Sequence, residues 1–141
     1  MSRFVAFHGN FTPNPPHEQE GNYPGFHAGT LQAAQDLLRM KVEMPGNAFE
    51  VPQNAYMHMY AVHHPVSPEV LDDPGQWEPE SGRPNVDELN TPGNLGDDIL
   101  QYKNSIEDEG STSYVIPKHL IDGRRVSYLG SQFWGEFLPD E

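Results

Sequence analysis

The chain contains no cysteine. That excludes a disulfide framework and any thiolate zinc site. Positive charge is scarce: 8 Lys and Arg stand against 21 Asp and Glu, a formal net charge of -13. A nucleic-acid groove needs cations to displace the counterions of the phosphate backbone, so direct nucleic-acid binding is not expected. Such a field favours a protein partner with a basic surface, and otherwise serves solubility. Long apolar runs are missing too. No stretch approaches the roughly 20 residues of a membrane span, and the N-terminus has no charged-then-apolar leader pattern. The expectation is a soluble, cytoplasmic protein without membrane association. Also absent are a phosphate-cradling Gly loop with Lys, a dinucleotide-binding Gly fingerprint and a Ser-His-Asp order.

What the chain does have is punctuation. Its 141 residues suit one domain spanning 1–141, and 14 Pro with 13 Gly interrupt it too often for a helical bundle. Short strands and many loops are expected instead. Arg3-Phe-Val-Ala-Phe-His8 is a compact apolar run, read as a buried first strand that stops at Gly9-Asn10. Residues 11–24, with Thr-Pro-Asn-Pro-Pro, read as loop. Gly25 to Thr30 reads as a second short strand or turn, with Thr30 placed to cap a helix. Apolar residues at 31, 34, 37 and 38 predict that helix over Leu31–Met40.

Asn54 to His64 carries apolar residues on both alternating faces and predicts a strand buried on both sides. Residues 65–73 read as a turn with one short helical turn at most. Residues 74–92 form a Pro-, Gly- and acid-rich loop, long enough to be functional or mobile. Strands are expected at 97–102, 113–116 and 125–129, and Phe133, Trp134 and Phe137 are expected to pack on the body. This order predicts an α+β domain dominated by short strands. His58, His63 and His64 invite a zinc reading. Strand alternation puts His63 opposite the other two, and acidic partners at ligand spacing are lacking, so no metal site is expected.

Three elements carry chemistry. Phe7-His8-Gly9 ends the first strand. Gly25-Phe-His-Ala-Gly-Thr30 precedes the helix. Asp97-Asp-Ile-Leu-Gln-Tyr-Lys-Asn-Ser-Ile-Glu107 leads through a Gly-Ser turn into Ser113-Tyr-Val-Ile-Pro-Lys-His-Leu-Ile121. Together and in this order they resemble ADP-ribosyltransferases, especially the small domains of phage and bacterial polyvalent proteins. Tyr56 to Asp73 is similar to the family's middle strand, which runs into a Pro-marked turn and an Asp. The resemblance spans most of the chain, is strongest over 97–121 and weakest over 74–92.

The resemblance implies a split β-sandwich of two small sheets with one main helix, and NAD in the cleft between the sheets. It implies NAD-dependent mono-ADP-ribosyl transfer to a protein, with a phage effector in host cytoplasm or a virion component as the setting. Cleavage of the nicotinamide–ribose bond passes through an oxocarbenium-like species that a carboxylate can stabilise. Glu107 and His8 are the implied catalytic groups, with His8 orienting the adenosine ribose. His8, Gly9, Phe26, His27, Thr30 and Tyr102 are the implied NAD-binding residues, Gly9 by letting the backbone approach the ligand. Two positions depart from the pattern. His27 stands where the family keeps a Tyr, leaving Phe26 or Tyr102 to stack on nicotinamide. Ser113 stands where many members keep the catalytic Glu. Either Glu107 or Glu109 then acts, or the fold serves as a non-catalytic acidic interaction, inhibitor or virion protein.

Overall fold

A computed structural model describes residues 3–21, 23–73, 85–105 and 108–138. In chain order its regular elements are β1 (Phe4–Asn10), β2 (Gly25–Ala28), α1 (Leu31–Glu43), β3 (Tyr56–Val62), β4 (Val66–Leu71), α2 (Val86–Leu89), β5 (Ile99–Lys103), β6 (Thr112–Pro117) and β7 (Val126–Phe133). The result is an α+β domain with two small, mostly antiparallel sheets and one main helix.

One sheet has the order β1-β3-β7 and is antiparallel throughout. The other has the order β2-β6-β5-β4, with only the β4–β5 pair parallel. A backbone bridge joins the two sheets. Phe7 N–H donates to the Gly29 carbonyl at 2.8 Å, and Gly29 N–H returns the bond at 2.9 Å. Gly29 is required there, because a Cβ would fall 2.3 Å from Ser113 Oγ on β6.

Between the sheets lies the main core: Ala6, Tyr60, Val62 and Val126 from the first, Phe26, Ala28, Ile99 and Ile116 from the second. Full burial of one such aliphatic side chain contributes about 1.5–3 kcal/mol. The strands of sheet centres read as continuous apolar runs for this reason; no residue of β3 is exposed.

α1 begins where Thr30 takes an extended conformation and its Oγ1 accepts the Ala33 N–H at 3.0 Å. It runs three residues beyond the sequence expectation and stops before Pro45, which disfavours helical geometry at the residue it follows. Its inner face, Ala34 and Leu38, packs with Met57, Ala55 and Leu138 in a second core. Gly9 makes that seat possible. A Cβ there would lie 2.7 Å from Leu38 Cγ and 3.1 Å from the Ala34 carbonyl. The absent side chain of Gly9 therefore serves helix packing.

Four sequence expectations need correction. β1 does not stop at His8: Gly9 and Asn10 pair with Met57 and Tyr56. Residues 66–71 are a strand, not a turn. Pro68 is tolerated because β4 is an edge strand whose register shifts between Val66 and Val70. The expected loop 74–92 contains α2; its residues 74–84 lie outside the described residues. In the tail, Trp134 and Leu138 join the second core, whereas Phe133, inside β7, and Phe137 stay 42% and 46% exposed. Among the described residues, no helix is long and apolar enough to cross a membrane.

A candidate ligand cleft at the seam between the sheets

A cleft of about 350 Å³ opens beside the Phe7–Gly29 bridge. β1 contributes His8 and Gly9, β2 contributes His27, β5 contributes Tyr102, and β6 contributes Ser113. Asp73 and Asn104, each just past a strand end, add polar groups. One wall is α1, through Ala33, Ala34, Leu37 and Lys41. The local sequence explains the convergence. Phe7 and Gly29 join the sheets, so the next residue on β1 and the neighbouring residues on β2 face a common gap.

His8 is held by its Nδ1–H, which donates to the His27 carbonyl. A carbonyl only accepts, so the proton sits on Nδ1 and Nε2 keeps a lone pair. Burial pushes the imidazole pKa down to about 4, with His58, His27 and Lys41 adding smaller pressure in the same direction. His8 is therefore neutral at physiological pH and presents Nε2 as an acceptor.

His27 is gripped at both nitrogens. Nε2 lies 2.9 Å from Asp87 Oδ1, and Nδ1 lies 2.9 Å from the Tyr102 hydroxyl. A carboxylate only accepts, so Nε2 carries a proton and the neutral ring accepts Tyr102 O–H at Nδ1. The two rings meet edge to face, with centroids 5.7 Å apart. The hydrogen bond from His27 holds the Asp87 carboxyl below the usual carboxylate range.

The β6 side of the cleft ends in a hydroxyl. Ser113 is buried and its Oγ accepts from Asn104 Nδ2 at 2.7 Å; the same amide also donates to Ser111 Oγ at 2.9 Å. The turn between β5 and β6 is pinned on both flanks. Asp73 Oδ2 accepts from the N–H and hydroxyl of Ser105 at 2.8 and 2.9 Å. Asp108 accepts from the Thr30 hydroxyl at 2.8 Å and donates its own N–H to Asp36 at 2.9 Å. Asp108 sits at φ 43°, a conformation Asp tolerates better than most side chains.

Of the residues singled out from the sequence, His8, Gly9, His27 and Tyr102 line one cleft. Phe26 does not: it belongs to the core, 4.8 Å from Tyr60 between ring centroids. Nor does Thr30, which caps α1 and ties down Asp108. Glu107 lies outside the described residues, and Glu109 is exposed. His58 is buried, with Nε2 2.7 Å from Asn10 Oδ1. Sequence reasoning missed Asp73, Lys41 and Asp87. For Asp87 a signal existed: Asn85-Val-Asp-Glu88 has the spacing of a helix cap, and Asn85 Oδ1 accepts the Glu88 N–H at 3.1 Å. Comparison of the chain with protein-family models, curated proteins and solved structures finds no match.

Proposed function

We propose that this chain is an NAD-dependent mono-ADP-ribosyltransferase acting on a protein, a host protein if the chain is phage-encoded. The observation that carries the reading is the pairing of His8 and His27 across the seam of two small sheets, inside one cleft. A neutral imidazole with its Nδ1–H engaged suits a ribose, whose hydroxyl can donate to Nε2. Lys41 supplies positive charge for an anionic dinucleotide, and Tyr102 and His27 give an aromatic border for nicotinamide. Glu107 takes the role of stabilising the oxocarbenium-like species and orienting the acceptor.

The test pairs calorimetric NAD binding with transfer of labelled ADP-ribose to host lysate. His8→Ala is expected to weaken NAD binding about tenfold, the scale of one lost hydrogen bond in a desolvated site. Glu107→Gln is expected to keep NAD binding and lose transfer. A wild-type protein that neither binds nor cleaves NAD overturns the proposal.

One observation favours a second reading, a non-catalytic acidic interaction protein on the same fold. β6 brings the Ser113 hydroxyl to the cleft, already bonded to Asn104, rather than a carboxylate. That reading expects transfer to be absent in wild type and in Glu107→Gln alike.

A further inference from the structure

Asp87 comes from α2 and His27 from β2, 60 residues apart, and Tyr102 lies another 75 residues from His27 on the far side of β6. Three elements thus converge on one unbroken hydrogen-bonded chain: carboxylate, imidazole, phenol. Its inner end, Tyr102, is buried and lines the cleft; its outer end, Asp87, is 43% exposed at the side chain. A carboxylate that fixes an imidazole tautomer, with the second nitrogen accepting from a hydroxyl, is the arrangement that lets a hydroxyl hand its proton on.

The geometry points to Asp87, His27 and Tyr102 acting as a proton relay that deprotonates a neutral hydroxyl acceptor during ADP-ribosyl transfer. This rests on the proposed NAD chemistry and names the acceptor class within it. The bond between the ribose anomeric carbon and nicotinamide nitrogen breaks, and nicotinamide leaves with the bonding pair, neutral. The acceptor oxygen bonds to the anomeric carbon and becomes acidic as it does so. Its proton passes to the Tyr102 oxygen while the Tyr102 proton passes to His27 Nδ1. His27 becomes imidazolium, stabilised by the Asp87 carboxylate at Nε2. Tyr102 touches the acceptor, His27 receives the proton, and Asp87 is the positioning residue. A carboxylate acceptor has no proton to lose and gains nothing from such a relay. A serine, threonine, sugar hydroxyl or water does.

Among the described residues, Asp87 from α2, Tyr102 from β5 and His8 from β1 are the titratable groups bearing on His27; its β6 partner in register, Val115, is apolar. His8 is neutral over the working range and does not compete for the proton.

The experiment uses the full chain with NAD in water and in aqueous methanol, where both acceptors are simple hydroxyls. Wild type is expected to form ADP-ribose and its methyl glycoside. Asp87→Asn and Tyr102→Phe are expected to cut turnover at neutral pH by about tenfold or more, within the range for general-base contributions. Their NAD affinity should change less than about twofold. Nitrogen NMR of free wild type should find His27 protonated at Nε2 and bare at Nδ1. Variants that bind NAD and turn over like wild type, or a His27 protonated at Nδ1 in its neutral form, overturn the relay. Wild type that leaves NAD intact overturns the transferase reading and the acceptor class with it, while the NMR tautomer still decides whether the relay exists.

Discussion

His8 gains its chemistry from its surroundings. In water a histidine titrates near 6.5, but burial against the seam brings His8 down to about 4. The unfolded chain therefore binds a proton between those values that the folded chain refuses. Folding stability is fully present above pH 6.5 and is lost as pH falls toward 4. A depression of that size corresponds to about 3 kcal/mol. His17 and His58 are shifted downward by burial too and act in the same direction. Urea denaturation at a series of pH values should show stability falling across this window in wild type. His8→Asn, which keeps a donor for the His27 carbonyl, should flatten that limb without removing it, because His17 and His58 remain. A variant whose pH dependence overlays wild type would show that His8 is solvated in the folded state.

Elements assemble this cleft through polar side chains standing in for strand partners. Asn90, just after α2, is buried; its Oδ1 accepts the Gly25 N–H at 2.8 Å and its Nδ2 donates to the Gly25 carbonyl at 3.0 Å. The amide thus pairs with the start of β2 as a strand residue would. Asn90→Ala would leave both Gly25 groups buried and unmet, a cost of about 2–4 kcal/mol. Thermal unfolding should register that loss, and the geometry of the cleft should suffer too because β2 carries His27. A shift near zero would mean water replaces the amide. This contact also explains what could be read from the chain and what could not. β1, β2, α1, β3, β5, β6 and β7 announce themselves by local pattern: apolar runs, alternation, or the 31-34-37-38 stripe. β4 does not, because Ser67-Pro-Glu69 has turn chemistry and its parallel pairing with β5 is a long-range event. In the site, His8 beside Gly9 and His27 within Gly25–Thr30 were legible as motifs. Asp87 and Asn90 sit in a stretch whose composition signals loop, with the Asn85 cap spacing its one local cue, and their partners lie 60 and 65 residues away. Phe26 looked like a stacking ring from its place beside His27, yet alternation along β2 turns it into the core.

The whole molecule imposes a field that every ligand must enter. Its formal net charge is -13, and the described lining of the cleft offers Lys41 as a cation, itself 3.8 Å from Glu50. The proposed ligand, NAD, carries two phosphates against one cationic ring, so it would approach as an anion against a like-charged surface. Raising salt from about 0.01 to 0.15 M shortens the screening length from about 30 to 8 Å. That weakens long-range repulsion more than the short contact with Lys41. NAD affinity should therefore rise a few-fold over this interval, and thermal stability should rise with it as self-repulsion is screened. A partner with a basic surface should respond in the opposite sense, binding most tightly at low salt. Calorimetry with NAD at four salt concentrations separates these cases. Affinity that falls steadily with salt would mean that local cations, not the global field, govern the site, and Lys41→Gln should then abolish most of the salt dependence.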